Sequence, residues 1–223
     1  MSRTRVRTRD LARSRRRPRL APVDGAPARP AHVGGLDVFL ARACAWVLVV
    51  GGAIGTAAAF ALTVDRIALL KDPAFVPSCS ISPLLSCRSV MTSPQAEAFG
   101  FPNPIIGVAA FAVVVTFGVV LLTGYRPPRW VRLGMQLGTT FGVVFVHWLI
   151  VASLYRIHAL CPYCMVVWAV TIPIFWYTTL DTLRETRIGA SLRKFHSGVL
   201  VLWYVVIVAL ILREFWSYWR TLV

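Results

Sequence analysis

The chain has 223 residues, of which 57% are hydrophobic, and it carries a formal net charge of +15. Its mean hydropathy of +0.67 lies well above that of soluble globular domains, so a soluble enzyme is excluded. Because lipid leaves backbone polar groups unsatisfied outside a helix or a closed barrel, we read its long apolar runs as helices and predict an all-α membrane protein.

The first 36 residues form a basic segment that is rich in Arg, Pro and Ala. They cannot build a core, so we predict that residues 1–36 are a disordered cytoplasmic tail. Since hydrophobic spans follow, this tail is expected to contact anionic lipid and not nucleic acid. A cleaved signal peptide is an alternative, because Ala57-Ala58-Ala59 resembles a cleavage site, although the apolar run there is long for one.

Five apolar runs are long enough, or nearly so, to cross a bilayer. Their approximate bounds are 38–64, 105–123, 131–155, 161–180 and 199–216. With the N-terminus inside, the cytoplasmic segments hold 18 Lys and Arg residues and the opposite segments hold 6. This asymmetry predicts a cytoplasmic N-terminus.

The connection 65–104 between the first two runs is the longest polar one. Within it, Ser93-Pro94 predicts the start of a short helix, with serine as N-cap and proline in the first turn, and Gly100 predicts its end. We expect this helix to lie over the bundle or dip into it. In the first run, three glycines predict the close approach of a neighbouring helix: Gly51, Gly52 and Gly55.

Four of the five cysteines form a pattern on the side opposite the N-terminus. Cys79 and Cys87 lie in the polar connection, whereas Cys161 and Cys164 form a Cys-Pro-Tyr-Cys motif where the fourth run begins. A thiol at a helix N-terminus meets free N–H groups, so the pKa of Cys161 is predicted to fall. Cys164 lies deeper on nearly the same helix face, where it can meet a hydrophobic electron acceptor.

The two cysteine pairs predict an electron relay by thiol–disulfide exchange, provided that one loop cysteine reaches Cys161. Two other interpretations stay open: a pair of static disulfides that brace a cap, and a four-cysteine zinc site, which an oxidising compartment disfavours. Cys44 is interpreted as a buried apolar residue. His147, inside the third run, is interpreted as a hydrogen-bonding partner of a neighbouring helix, and His158 as a group that helps to balance charge near Cys161.

The run from Cys79 through Ser93, Phe99 and Asn103 to Gly107, followed by the Cys161–Cys164 motif, resembles the bacterial branch of the vitamin K epoxide reductase family. The resemblance covers about residues 38–180. It implies a four-helix bundle around a quinone in residues 37–180, capped by the first outer loop. Residues 181–223 then form a cytoplasmic loop and a fifth membrane helix.

The resemblance also implies a role for each site residue. Cys79 meets a partner, Cys87 carries electrons to Cys161, and Cys164 reacts with the quinone, which is of menaquinone or ubiquinone type. Four residues are expected at the quinone pocket: Ser93, Phe99, Asn103 and Trp168. Vertebrate members have a tyrosine where this chain has Trp168, which weakens any expectation of epoxide reduction.

The function that we expect is a thiol:quinone oxidoreductase of a bacterial inner membrane, with its redox cysteines on the outer side and no metal. No thioredoxin-like domain is expected in the chain, so its partner is expected to be a separate DsbA-like protein. Two alternatives remain: a non-enzymatic membrane subunit with a disulfide-braced cap, and a transporter of reducing equivalents. The latter requires a cysteine pair that is accessible from both sides.

Overall fold

The computed structural model of the protein describes residues 35–220, so nearly all of the predicted basic tail lies outside the described residues. The described part contains eight α-helices, numbered in chain order: α1 Gly35–Lys71, α2 Cys87–Met91, α3 Asn103–Leu122, α4 Arg129–Ala152, α5 Pro162–Thr182, α6 Arg187–Lys194, α7 His196–Glu214 and α8 Trp216–Trp219. A 3-10 helix, Pro94–Glu97, precedes α3, and a π-helical turn, Ser153–Ile157, follows α4.

Five of these helices, α1, α3, α4, α5 and α7, are long and apolar enough to cross a membrane. They coincide with the five predicted runs, and no strand occurs within residues 35–220. The prediction of an all-α, multi-pass membrane protein is therefore confirmed. The domain boundary expected near residue 180 stays a prediction.

Helix α1 is longer than its apolar run predicted, because it continues from residue 64 to Lys71. Most residues of the extension are good helix formers, and Leu69 packs beside Cys79 and Cys87 in an apolar cluster at that end. The end of an apolar run indicates where the chain emerges from the lipid. The end of the helix itself depends on the contacts that its last turns make. The connection that remains, residues 72–102, is called the cap below.

The predicted short helix in the cap is present and begins where it was expected, with Ser93 in the N-cap position and Pro94 in the first turn. The 3-10 helix begins at Pro94, yet the Ser93 hydroxyl donates to the Val90 carbonyl (2.7 Å) and caps no N–H group. Gly100, with φ of +81°, follows its end as predicted. The cap also holds α2, which the sequence did not indicate, and the Ser86 hydroxyl accepts the N–H of Ser89 at its start.

The bundle is arranged around α1, which packs against α3 and α5, while α4 packs against α5. Close approach depends on small residues, as predicted. A Cβ at Gly52 would lie 2.8 Å from Val115 of α3, and one at Gly51 would lie 3.3 Å from Ile174 of α5. Helices α3 and α4 barely touch, which leaves an open space between them.

Helix α7 is joined to α4 by a polar contact inside the membrane. Trp203 donates its indole N–H to Nε2 of His147 (2.9 Å), and Nδ1 of His147 lies 2.7 Å from the Val143 carbonyl. Because an indole nitrogen only donates, His147 accepts at Nε2 and donates from Nδ1, which is the neutral tautomer. The interpretation of His147 as an interhelical hydrogen-bonding residue is confirmed.

Gly118→Ala should destabilise the protein, because its Cβ would lie 2.9 Å from the backbone nitrogen of Val49 on α1. Overpacking of this kind costs about 1–3 kcal/mol. Gly198→Ala in α7 is the matched control, since no atom lies within 4 Å of its Cβ. Thermal unfolding in detergent should show a lower Tm for Gly118→Ala alone, and equal Tm values for the two variants would contradict this packing.

Candidate functional site

Two backbone hydrogen bonds bring the cap to the start of α5. The N–H of Ser86 donates to the Leu160 carbonyl (2.9 Å), and the N–H of Leu160 donates to the Leu84 carbonyl (2.8 Å). They form an isolated parallel bridge between Leu85 and Leu160. Each bridged segment is followed directly by a cysteine, Cys87 and Cys161. The bridge therefore sets the register between the two predicted redox pairs.

Three of the four predicted cysteines meet at this point. Cys79 and Cys87 form a disulfide with their Cα atoms 5.6 Å apart, while Cys161 and Cys164 are free thiols. The sulfur of Cys87 lies 3.0 Å from that of Cys161. The predicted approach of a loop cysteine to Cys161 is thus present in the structure.

These sulfur atoms are enclosed in apolar surroundings. Cys87 and Cys161 are both 0% exposed and Cys79 is 6% exposed. Leu62 and Leu69 of α1 pack against the cluster from one side, and Met91 of α2 belongs to it as well. Since water is kept away from the Cys87–Cys161 contact, Cys79 is the member of the disulfide that an outside reagent reaches most directly.

The start of α5 favours a thiolate on Cys161. Cys161 is the N-cap residue and Pro162 occupies the first turn, as predicted. The pKa of Cys161 is lowered, first by a hydrogen bond from the Cys164 side chain and then, against the effect of burial, by the N–H groups of Cys164 and Tyr163. Cys161 is therefore suited to act both as the leaving group and as the nucleophile at Cys87.

Cys164 lies in the wall of a cavity of about 460 Å³, enclosed by α1, α3, α4, α5 and the cap. This volume falls within the range of about 300–1,000 Å³ that is usual for ligand pockets. The wall is mostly apolar, and its polar side chains come from the cap, from the start of α3 and from hydroxyl residues of the other helices. Cys164 thus separates the sulfur cluster from a space that suits a flat hydrophobic ring.

Three of the four predicted pocket residues, Ser93, Asn103 and Trp168, line this cavity. Phe99 does not. It is 45% exposed, and its ring packs 5.4 Å from Phe145, a residue of the cavity wall.

The amide of Asn103 already holds the cap. Its Oδ1 accepts the N–H of Ala98 (3.0 Å), and its Nδ2 donates to the Gln95 carbonyl (2.7 Å). One Nδ2 hydrogen remains for a ligand. The Gln95 side chain also lines the cavity, and no pattern in the sequence marked it. The donors and the apolar wall together fit a quinone ring.

The sulfur atoms of Cys79, Cys87 and Cys161 all lie within 4.8 Å of one another. Two of them are joined in the disulfide and have no thiolate to offer, whereas structural zinc is held by four Cys or His ligands. In this state the arrangement suits thiol–disulfide exchange and not metal ligation.

The remaining candidates lie away from this site. Cys44 is 3% exposed and packs with Leu48 and Phe111 in a separate core cluster. His158 was expected to balance charge near Cys161, but its closest ionic partner is Glu214, at 3.9 Å.

Residues 46–179 match the model of the vitamin K epoxide reductase family. The matched range includes the four cysteines of the site and every residue of the cavity wall. No curated protein matches the chain.

Cys164→Ala should raise the pKa of Cys161, because it removes the hydrogen bond that lowers it most. A hydrogen bond to a charged group stabilises the charged form, so its loss favours the neutral thiol of Cys161. As pH falls, the ultraviolet absorbance of the thiolate should disappear at a higher pH in Cys164→Ala than in the wild type. Cys164→Ser, which keeps a donor, should titrate between the two, and identical titration curves would contradict this role.

Proposed function

Because this chain belongs to the vitamin K epoxide reductase family, we propose that it is a membrane thiol:quinone oxidoreductase. It oxidises the dithiol of a separate thioredoxin-fold, DsbA-like protein and passes the electrons to a quinone of the membrane, so that secreted proteins gain disulfides. The observation that carries this proposal is the 3.0 Å approach of Cys87 to Cys161, next to a cavity that Cys164 lines.

The first part of the cycle runs from the partner to the cap. A partner thiolate attacks Cys79, the more exposed sulfur of the disulfide, and Cys87 leaves as a thiolate. The second thiol of the partner then attacks the partner's own sulfur in the mixed disulfide and expels Cys79. The partner leaves oxidised, and both cysteines of the cap are reduced.

The second part runs from the cap to α5. The Cys87 thiolate attacks Cys161 in the Cys161–Cys164 disulfide, and Cys164 leaves. Cys79 then attacks Cys87, which re-forms the disulfide of the cap and releases Cys161 as a thiolate. The structure has the pairing that this step leaves: an oxidised cap beside two free thiols.

The last part occurs at the cavity. A quinone, when bound, accepts two electrons and two protons. Cys164 presents its sulfur to the ring from the cavity wall, and Cys161 closes the disulfide with it, so that both electrons leave the pair. Trp168 packs as a flat wall, and the Asn103 amide is positioned to donate one hydrogen bond.

We place the cysteines on the outer side of a bacterial inner membrane. The support is the excess of Lys and Arg in the segments on the side of the N-terminus, together with the disulfide of the cap, since disulfides persist mainly in oxidising compartments. Lipid and quinone are then its membrane partners, and no nucleic acid takes part.

Replacing any one of the four site cysteines by alanine should abolish quinone-dependent oxidation of a reduced thioredoxin-fold protein, since each sulfur takes part in one exchange step. The four variants are Cys79→Ala, Cys87→Ala, Cys161→Ala and Cys164→Ala. Cys44→Ala is the matched control and should keep full activity, because Cys44 packs in a different cluster. Quinone reduction is followed by its absorbance. Wild-type activity in Cys161→Ala or Cys164→Ala would favour the alternative of a braced, non-enzymatic cap.

Gly138→Leu should block the cavity. Gly138 lies in its wall, and no atom lies within 4 Å of an added Cβ, so the larger side chain extends into open space. Turnover with quinone should fall by at least about tenfold, while exchange between a dithiol and the disulfide of the cap continues. Gly198→Leu on α7 is the control, and unchanged quinone turnover in Gly138→Leu would exclude this cavity as the quinone site.

A further inference from the structure

A carboxyl group lies beside the disulfide of the cap. Asp65, in the last turns of α1, is partly buried, and its Oδ2 is 4.0 Å from the sulfur of Cys79. While the disulfide is closed, Cys79 carries no S–H group, so this contact becomes a thiol–carboxylate contact only when the cap is reduced. Asp65 reaches the sulfur because α1 continues beyond its apolar run.

The relay requires a proton to move at Cys79 twice in each cycle. Cys79 must lose a proton before it can attack Cys87, since the thiolate is the nucleophile. It must regain one after the partner expels it as a thiolate. The apolar enclosure by Leu62, Leu69 and Met91 limits the access of water to this sulfur. A fixed acceptor and donor is therefore useful at this position.

We propose that Asp65 is the catalytic acid–base of the cap and exchanges a proton with Cys79 in both half-cycles. This inference rests on the proposed function. In one direction, the Cys79 thiol gives its proton to the Asp65 carboxylate, and its sulfur electron pair forms the bond to Cys87. The Cys87–Cys161 bond breaks, and Cys161 leaves as a thiolate with the electron pair of that broken bond. In the other direction, the partner expels Cys79, and protonated Asp65 returns the proton to the leaving sulfur.

The charge of Asp65 links proton transfer from Cys79 to the release of Cys161 as a thiolate. A negative Asp65 raises the pKa of Cys161, which opposes the other influences on that thiol. When Asp65 takes the proton of Cys79, its charge disappears at the same moment that Cys161 becomes a thiolate. The proton transfer thus removes the repulsion that the new thiolate would otherwise meet.

Within residues 35–220, no other carboxyl group is seen beside the sulfur of Cys79. The two titratable groups that face Asp65 are Cys79 of the cap and Cys161 at the start of α5. Arg66, the adjacent cation, is ion-paired with Glu97 of the 3-10 helix. Arg88 donates to the carbonyl groups of Pro73 and Phe75.

Asp65→Asn is the test, because it keeps the size and polarity of the side chain and removes the proton exchange. Full-length protein is assayed with dithiothreitol and a short-chain ubiquinone across a range of pH. At each pH, the turnover rate of the variant is divided by that of the wild type, so that the ionisation of dithiothreitol affects both rates equally and drops out of the ratio. The control is Asp72→Asn, whose Oδ1 accepts the N–H of Ala74 (2.8 Å), a bond that asparagine also makes.

Asp65→Asn should be slower than wild type by on the order of 10²-fold near about pH 6. The deficit should shrink by about tenfold per pH unit as pH rises, because Cys79 then ionises without help. Samples quenched in acid during turnover should contain the Cys87–Cys161 mixed disulfide in Asp65→Asn at low pH, and much less of it in wild type and Asp72→Asn.

Two results would overturn this role: equal rates for Asp65→Asn and wild type, or a deficit that stays constant with pH and brings no mixed disulfide, which is the behaviour of a purely structural residue. The failure of the proposed function looks different. It would appear as an absence of quinone-dependent turnover in the wild type itself.

Discussion

The arrangement of the site depends on the backbone bridge between Leu85 of the cap and Leu160 before α5. Two hydrogen bonds join segments that are far apart in sequence, and each segment leads directly into a cysteine. These backbone hydrogen bonds fix the position of the cap relative to the start of α5, and Cys87 lies 3.0 Å from Cys161 as a result. The apolar cluster around Leu69 and Met91 then excludes water from the contact.

Different groups lie on the two sides of the Cys87–Cys161 contact, and they differ in how exposed they are. Toward the cap lies Cys79, the more exposed sulfur of the disulfide, with Asp65 beside it. Toward the membrane lies Cys164, which lines the cavity between α3 and α4. Cys161 stands between them, with a pKa lowered by Cys164. The sulfur cluster therefore has its more exposed end at Cys79, while Cys164 lies in the wall of the cavity.

Particular residues show how far the sequence could predict the molecule. The glycines of α1 predicted close packing because small side chains act locally on an approaching helix, and the polar His147 predicted a partner without naming Trp203. Ser93 is the N-cap residue of the short helix, as predicted, but its hydroxyl donates to the Val90 carbonyl and caps no N–H group. Phe99 matched a family pattern yet lies outside the cavity wall. Nothing in the sequence indicated that Asp65 or Gln95 belongs to the site, because a single polar residue forms no recognisable pattern. Their positions are evident only from the contacts that the folded chain makes.

What the sequence by itself determined is the set of spans and the identity of the cysteines. The length of an apolar run and the spacing of a Cys-x-x-Cys motif are local properties. A run long enough to cross lipid becomes a helix, and a motif at a helix start places both thiols near the same helix face, whatever the rest of the chain does. Only the tertiary structure decided which sulfur touches which, how far α1 continues and which acid meets Cys79. These are contacts between distant segments, and their geometry depends on the bridge and on packing that no single segment encodes.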